Sequence, residues 1–380
     1  MSLLRNFVSI SILLLLVSCA AGPSNLIGLA TLEPSQVTSE GAQIQNLFVA
    51  TSRLRSENAA EFFSGERAKA LNLANVDVTI PPVHAVGKLE QPRFNEREDV
   101  AKHFTIAKPL VFDHGVDFAA KLNDELAKKA PGNREILVFV HGYNTNFTSA
   151  VLRMAQFVHD TDFKGVPLLF TWASRGRAID YVYDVNSALQ ARFYLVELAK
   201  MLTETNAESF SIVAHSMGNL VTLESMSLMV KQGIRPRNAK LNRIILAAPD
   251  VDIDLFDEYL KDISPVQDRI VVLVSKDDRA LKLSRRIAGG IDRVGATDPD
   301  IIAARGLEVI DLTRIDDRDN VNHTKFAQSP DIVKLIGRGI AEGNSLSTTA
   351  TGSVENGFGS VFRGVAQVTS GVGTVLTLGN

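Results

Sequence analysis

Ser216 stands where an apolar segment gives way to a turn of small residues. Residues 210–214 read Phe-Ser-Ile-Val-Ala, and His-Ser-Met-Gly follows at 215–218 before a second apolar stretch over 220–230. This order predicts a strand, a sharp turn and a helix, with the serine hydroxyl at the carboxyl edge of a sheet. Ala214 and Gly218 are small, as close packing at such a bend requires. A serine placed this way can attack a carbonyl carbon, although an ordinary turn with a helix N-cap is the alternative interpretation.

A serine nucleophile needs a base, and His323 is the one histidine C-terminal to Ser216. The segment Ser-Lys-Asp-Asp at 275–278 follows a predicted strand, and a carboxylate there could hold the His323 ring in the tautomer that deprotonates the serine. Asp277 and Asp278 both satisfy the chain order Ser, Asp, His, so the residues alone leave the acid open between them. The alternative for His323 is an exposed histidine in a polar loop.

Two main-chain N–H groups are candidates for stabilising a developing oxyanion. His141-Gly142 ends another predicted strand, and a tight turn at Gly142 could aim the Tyr143 N–H into the same crevice. The Met217 N–H lies at the start of the helix after the serine. Two donors that are oriented in advance would form an oxyanion hole, whereas a simple turn at a strand end is the alternative.

The elements that must position these residues alternate regularly from residue 135 onward. Short apolar strands alternate with longer helical stretches, and the strands are predicted over 136–140, 167–172, 209–214, 243–247, 269–274 and 307–311. Their continuous Val, Ile and Leu content is typical of strands that are covered on both faces, and the alternation predicts a parallel sheet. Ligands of such sheets bind beyond the carboxyl ends of the strands, where all the candidate residues lie.

Three further residues follow strands in this pattern. Asp250 and Asp252 come after the strand over 243–247, where some hydrolases keep their acid, but they also suit capping of a helix that begins near Ile253, which we favour. Trp172 is the only tryptophan and ends a strand. It is a candidate for lining the substrate pocket, with simple packing as the alternative.

Composition excludes several classes of function. The net charge is -3, with no basic stripe and interleaved aromatics, so a nucleic-acid partner is not expected. Cys19 is the only cysteine, which excludes internal disulfides and cysteine-based zinc sites. The 7 histidines show no metal-binding motif spacing, so we expect no metal and no other cofactor.

The N-terminus is typical of an exported, lipid-anchored protein. Residues 1–18 contain Arg5 and an apolar stretch of about 11 residues, which is too short to span a bilayer and fits a signal peptide. Leu-Val-Ser-Cys at 16–19 resembles a bacterial lipobox, which implies cleavage before Cys19 and its acylation, for example with palmitate. A plain secretory signal is the alternative. The expected location is a bacterial cell envelope, and Ala20 favours the outer membrane if the organism has one.

Composition also predicts the domain boundaries. Residues 19–45 are rich in Gly, Pro, Ser and Thr and are predicted to be a tether. The domain is predicted over 46–343: residues 46–130 hold strands at 47–50 and 76–80 and a helix over 116–130, and residues 131–343 form the catalytic core. Residues 344–380, rich in Gly, Ser, Thr and Val, are predicted to be a flexible tail, with a weak membrane- or partner-binding segment as the alternative.

Taken together, these motifs resemble the alpha/beta hydrolase fold, and more narrowly a bacterial alpha/beta hydrolase family of poorly defined function. The segments that carry the resemblance are Val140–Asn144, Thr171–Ser174, Tyr183-Asp184, Ala214–Gly218, Ala247–Asp252 and Asp278–Leu281, with Ala50–Arg53 and Ile80–Pro82 as its leader region. The resemblance covers roughly residues 46–343. It implies an α/β fold with a mostly parallel, doubly wound sheet and helices on both faces. It also implies a triad of Ser216, Asp278 and His323.

The function expected from these observations is that of an esterase-like serine hydrolase, which cleaves carboxylic esters through an acyl-enzyme on Ser216. Its partners would be a small-molecule or lipid ester and, through Cys19, a membrane. Two alternatives are an acyltransferase with the same triad, and a non-catalytic envelope lipoprotein that uses the fold for binding. The sequence does not indicate an oligomeric state.

Overall fold

The computed structural model describes residues 41–93, 96–234, 240–315, 321–343 and 374–377. The strands are β1 Gln43–Arg55, β2 Phe63–Ile80, β3 Thr105–Phe112, β4 Glu135–Val140, β5 Val166–Thr171, β6 Ser209–His215, β7 Lys240–Ala247, β8 Ile270–Val274, β9 Glu308–Asp311 and β10 Thr374–Thr377. The α-helices are α1 Gly115–Ala127, α2 Phe147–Asp160, α3 Tyr181–Thr203, α4 Gly218–Lys231, α5 Ile253–Ile263, α6 Arg279–Ile287, α7 Pro299–Ala303, α8 Lys325–Gln328 and α9 Pro330–Glu342.

All ten strands belong to one mixed sheet, in the order β10-β9-β8-β7-β6-β4-β5-β1-β2-β3. The pairs from β10 to β1 are parallel, and β2 and β3 extend the sheet in antiparallel pairing. The mostly parallel α/β sheet predicted from the sequence is therefore confirmed. Strand β6, which ends beside Ser216, lies in the middle of the parallel part, so the neighbouring strand ends surround the serine.

Helices cover both faces of the sheet, and each central strand feeds two separate cores. In β4, Leu137 and Phe139 pack into one core with α2 and α9, whereas Ile136, Val138 and Val140 pack into the other with α1, α3, α4 and α5. Successive side chains of a strand point to opposite faces, so a strand with two covered faces must be apolar throughout. This is the physical reason for the continuous apolar runs in the sequence.

The N-terminal part of the sheet is larger than the sequence predicts. Strand β1 begins at Gln43, inside the predicted tether, and β2 is an 18-residue strand of which only 76–80 was expected. Strand β3 was not predicted, because Pro109 interrupts its apolar pattern. Since β3 is the last strand of the sheet, a residue without an N–H group is tolerated there.

The termini lie largely outside the described residues. The predicted signal peptide, Cys19, the tether up to residue 40 and tail residues 344–373 and 378–380 fall there. Residues 374–377 do not follow the prediction of a flexible tail, because they add a parallel strand to β9. Within the described residues, no helix combines the length and the apolar character needed to cross a membrane.

Candidate active site

Ser216 occupies a strained turn between β6 and α4. Its φ of 53° lies in the left-handed region, which costs a residue with a side chain on the order of 1–3 kcal/mol. A Cβ on Gly218 would lie 2.5 Å from the carbonyl oxygens of Val140 and His141, and one on Gly142 would lie 2.7 Å from the Ser216 Cβ. The sequence suggested Gly142 for a tight turn, but in the structure this position needs glycine because the serine passes so close.

Main-chain hydrogen bonds hold the serine in this turn. The Ser216 N–H donates to the carbonyl oxygen of Ala247 at 3.0 Å, at the end of the neighbouring strand β7. The Ser216 carbonyl oxygen accepts from the Asn219 side chain at 2.9 Å and from the Asp250 N–H at 3.2 Å. The side chain of Ser216 therefore projects from a fixed backbone at the carboxyl edge of the sheet.

His323 and Asp278 are joined by a hydrogen bond. His323 Nδ1–H donates to Asp278 Oδ2 at 2.7 Å, and the Asp278 side chain is fully buried. The other carboxylate oxygen, Oδ1, accepts from the Leu281 N–H at 2.9 Å and caps helix α6. The Arg279 N–H donates to the Val321 carbonyl oxygen at 3.0 Å, which ties the His323 loop to the same turn. The carboxylate is thus fixed on one side by a helix and holds the imidazole on the other.

Asp277, the neighbouring aspartate, has a different partner. Both of its carboxylate oxygens accept from Lys325 Nζ, at 2.9 and 3.1 Å, and Ser275 Oγ also donates to it. Lys325 is buried and donates further to the Leu312 carbonyl oxygen at 2.9 Å. Since Lys325 lies two residues after His323, this ion pair holds the histidine loop against the end of β8. The structure therefore distinguishes the two candidate acids: Asp278 binds His323, whereas Asp277 binds Lys325.

His215 packs directly against His323. Its Nε2–H donates to the His323 carbonyl oxygen at 3.1 Å, and the two rings lie 4.7 Å apart between centroids. Burial, followed by the proximity of His323, holds the pKa of His215 well below its usual range, so this ring is neutral. His215 precedes Ser216 in the chain, and the contact therefore brings His323 to the serine turn.

Asp250 is buried close to the same turn but bonds elsewhere. Ser284 Oγ donates to its Oδ1 at 2.5 Å, and Arg293 Nε lies 3.4 Å from that oxygen. Burial raises the pKa of Asp250. The predicted helix cap belongs to Asp252, whose Oδ1 accepts from the Asp254 N–H at 2.9 Å at the start of α5.

The loop after β4, which carries the Tyr143 N–H, rests on a fully buried arginine. Arg53 Nε donates to Thr171 Oγ1 at 2.8 Å, and its two terminal nitrogens donate to the carbonyl oxygens of Ser174 at 2.7 Å and Thr145 at 2.6 Å. Burial lowers the pKa of Arg53 to about 9, and the charge of Asp184 opposes that shift. The guanidinium is still protonated at neutral pH.

His141 occupies the space between this arginine and the loop as a neutral ring. Its Nε2 must accept, because the Trp172 main-chain N–H donates to it at 3.1 Å; its Nδ1–H donates to the Gly142 carbonyl oxygen at 2.8 Å. Burial and the charge of Arg53 lower the pKa of His141 to about 3. Trp172 is buried, stacks on this ring at 5.1 Å and donates through Nε1 to the His141 carbonyl oxygen at 2.8 Å. Trp172 is therefore a packed residue, as the alternative interpretation of the sequence proposed, and not a candidate for lining the pocket.

Asp184 and Ser174 fix the amides that follow Tyr143. Asp184 Oδ2 accepts from Ser174 Oγ at 2.5 Å and from the Asn144 N–H at 3.4 Å. Ser174 Oγ in turn accepts from the Thr145 N–H at 3.0 Å. Asn144 itself has a φ of 54°, so the chain turns sharply just after Tyr143. This buried network fixes the chain immediately after Tyr143, while Met217 is the N-cap residue of helix α4.

Several of these supporting residues were not identified as functional from the sequence. Arg53, Thr171, Ser174 and Asp184 all lie in segments that carry the family resemblance, yet they are far apart in the chain. Only the fold shows that they meet behind one loop. His215 and Lys325 carried a weaker signal, namely their proximity to Ser216 and His323 in the chain.

Solved structures with a similar course of the chain include esterases, all at low similarity. An esterase from Pyrobaculum calidifontis is 9% identical with a TM-score of 0.34, over 81% of this chain and 89% of that one. One of two fungal esterases from Rhizomucor miehei is 9% identical, with a TM-score of 0.33 over 83% of this chain and 92% of that one. Esterase B from Lactobacillus rhamnosis, solved with a tributyrin phosphonate inhibitor, is 10% identical, with a TM-score of 0.35 over 85% and 94%. At these scores the neighbours carry no argument about function.

Among curated proteins, no sequence matches the chain. The sequence profile of a family described as "Alpha/beta hydrolase of unknown function (DUF900)" matches residues 116–339, which is more than half of the chain. This range contains β4 to β9 and every candidate residue from Tyr143 to His323. The chain therefore belongs to this family of alpha/beta hydrolases of unknown function.

Proposed function

We propose that the protein is a serine hydrolase that cleaves carboxylic esters, with Ser216 as nucleophile, His323 as base and Asp278 as the acid that orients the base. The observation that carries the proposal is the 2.7 Å hydrogen bond between His323 Nδ1 and the buried carboxylate of Asp278, together with the contact of His323 with His215, which precedes a serine held at a φ of 53°. With the proton held on Nδ1, the lone pair of Nε2 is available to accept the proton of a serine hydroxyl.

The reaction would follow the usual course of acyl transfer. Ser216 Oγ attacks the ester carbonyl carbon as its proton passes to His323 Nε2, and the negative charge on the carbonyl oxygen is received by the N–H groups of Tyr143 and Met217. His323 then protonates the alkoxide of the leaving alcohol. Water, deprotonated by His323, attacks the acyl-enzyme, and the acid leaves as Ser216 is reprotonated. An acyltransferase would differ only in the nucleophile of this second half, so product analysis with added alcohols distinguishes the two.

The test uses the full-length chain purified in detergent. We expect labelling by a fluorophosphonate probe and cleavage of an activated short-chain ester, because the probe reacts only with a serine whose proton is removed by a base. Ser216→Ala should lose both properties while it keeps its thermal unfolding temperature, and His323→Ala should lose nearly as much because the triad acts as a unit. Ser264→Ala, at an exposed position in the chain, serves as the matched control and should behave as wild type.

Two outcomes would overturn the proposal. Labelling that persists in Ser216→Ala would place the reactive group elsewhere. A folded wild-type protein that never labels would leave the binding function of an envelope lipoprotein as the better interpretation.

We also propose that Cys19 becomes the lipid-modified N-terminus of the mature protein, which would hold the hydrolase domain at a bacterial membrane. The support is the lipobox-like segment at 16–19 that ends on the single cysteine of the chain. Two or more acyl chains are enough for stable attachment to a bilayer. A lipid ester is then one natural class of substrate for the site.

A further inference from the structure

A second cluster of titratable side chains lies outside the candidate active site. His84 belongs to the loop after β2, whereas His159 and Asp160 end helix α2. One ligand atom from each of the three residues lies within 4.8 Å of the other two. The Asp160 side chain is fully buried and that of His84 is 5% exposed, so this is an interior cluster and not a group of surface charges.

The geometry of the three side chains is close to that of a tetrahedral metal site. His84 Nε2 lies 2.6 Å from Asp160 Oδ1, and the two imidazole rings are 5.2 Å apart between centroids at 70°. Two imidazoles bound to one zinc ion at about 2.0–2.1 Å, with a tetrahedral angle between them, have centroids about 5 Å apart. The ligand atoms themselves would lie about 3.3 Å from one another, so His84 Nε2 and Asp160 Oδ1, now 2.6 Å apart, must separate by about 0.7 Å, and the His159 ring must approach them by up to about 1.5 Å.

The surrounding hydrogen bonds occupy the other polar atoms of His84 and Asp160, so that His84 Nε2 and Asp160 Oδ1 face each other and the His159 ring. The other nitrogen of His84, Nδ1, lies 2.8 Å from Glu90 Oε2, which is the carboxylate–histidine arrangement that orients metal-binding histidines. The other oxygen of Asp160, Oδ2, accepts from the Gly87 N–H at 2.7 Å and from Gln156 Nε2 at 2.5 Å. No hydrogen bond engages the His159 ring within the described part of the chain, and this ring is partly exposed.

We propose that His84 Nε2, Asp160 Oδ1 and one ring nitrogen of His159 bind a zinc ion, with Glu90 as the carboxylate that orients His84. Two imidazoles and one carboxylate are a donor set that zinc accepts, and a water molecule supplies the fourth ligand. On binding, Zn²⁺ replaces the proton shared by His84 and Asp160, and that proton is released to solvent. The motif spacing in the sequence gave no sign of this site, because its ligands come from a loop and a helix 75 residues apart.

The ion would join the loop after β2 to helix α2, and both of these segments contact the helix that follows His323. Gln156 also donates to the Ala327 carbonyl oxygen at 2.9 Å, and Gly87 lies so close to the Gln328 carbonyl group that a Cβ there would clash with it. Both contacts are with α8, which begins two residues after His323. The ion would therefore be structural, because its ligands connect the loop after β2 with α2 and include none of the proposed hydrolytic residues.

The test is a zinc titration of the full-length chain in detergent, after chelator treatment and dialysis. Competition with a chromophoric chelator should give one Zn²⁺ per chain, and zinc should raise the thermal unfolding temperature. His159→Ala is the decisive variant, since it removes a proposed ligand whose ring makes no hydrogen bond within the described residues. We expect it to lose at least tenfold in affinity and to lose the thermal shift. Glu90→Gln should weaken binding by about 10–100-fold through the orientation of His84.

Two control variants separate this site from adventitious binding. His114→Ala removes an exposed histidine and His323→Ala removes the one at the candidate active site, and both should still bind one Zn²⁺. A wild-type chain that binds no zinc at micromolar concentration would overturn the proposal. So would binding that survives in His159→Ala or disappears in His323→Ala, because the ion would then lie elsewhere.

Discussion

Replacing Asp278 by Asn separates the two tasks that this carboxylate performs. Asn has nearly the same volume and is as good a helix N-cap as Asp, so its oxygen should continue to accept from the Leu281 N–H, 2.9 Å away in the native structure. That bond fixes the orientation of the Asn side-chain amide. The flipped amide would place its NH₂ group against the Leu281 N–H, and two donors cannot form a hydrogen bond. The amide nitrogen must therefore take the position of Oδ2 and face His323 Nδ1.

This orientation reverses the tautomer of His323. An amide N–H beside Nδ1 requires that nitrogen to accept, so the ring proton moves to Nε2, the nitrogen that should receive the serine proton. In a serine protease with the same arrangement, the corresponding substitution lowers turnover by about 10⁴. Since a factor of ten is about 1.4 kcal/mol, the expected loss is about 5 kcal/mol of transition-state stabilisation, with little change in the unfolding temperature.

The assay is the rate of ester cleavage and of fluorophosphonate labelling, with the unfolding temperature measured on the same samples. Asp252→Asn is the matched control, because Asp252 caps helix α5 in the same manner without a histidine partner. Asp278→Ala should lose activity and, in addition, about 1 kcal/mol of stability from the missing cap. If Asp278→Asn kept a tenth of the wild-type activity, or if Asp250→Asn were the inactive variant, the assignment of the acid would be wrong.

Two further substitutions test the support of the oxyanion loop and the membrane anchor. Arg53→Lys keeps the charge but cannot reproduce the fork of bonds to Thr171, Ser174 and Thr145, so the loop should shift. A misplacement of about 1 Å can cost about 10² in rate, and we expect the labelling rate of Arg53→Lys to fall by a factor of that order. The control is Arg305→Lys, at the partly exposed ion pair with Asp257, which should label at the wild-type rate. Equal labelling rates in both variants would contradict the positioning role. Cys19→Ser should release the protein from the membrane fraction or block its processing, as followed by fractionation and mass spectrometry; a variant that is processed and retained as before would exclude the anchor.

The parallel part of the fold could be predicted because its physics is local. Each central strand is covered on both faces, which forces a continuous apolar run that is visible in the sequence without any knowledge of its neighbours. The rule that ligands bind beyond the carboxyl ends of such strands then selected Tyr143, Ser216 and the aspartates after β8. The edge of the sheet escaped prediction, since β3 tolerates Pro109 for a reason that depends on its place in the sheet.

The choice between adjacent residues could not be made from the residues alone. Asp277 and Asp278 are chemically identical and one position apart, and the family pattern favoured Asp278 without giving a reason. The structure supplies one: Lys325 binds Asp277, while Asp278 caps helix α6 and binds His323. These contacts depend on the position of residues 321–325 beside the end of β8, which no local pattern in the sequence records.

The role of Arg53 likewise could not be predicted from a local pattern, and it shows that the N-terminal strand supports the candidate active site. Arg53 lies in β1, outside the range 116–339 that matches the family profile. Its guanidinium nevertheless donates to Thr171 at the end of β5 and to Thr145 in the loop after β4, and this loop carries one of the two candidate oxyanion donors. A buried guanidinium that is left without these acceptors would be costly, so the arginine and the loop depend on each other. Strand β1 is therefore part of the structural unit that supports the candidate active site, and a fragment limited to residues 116–339 would lack it.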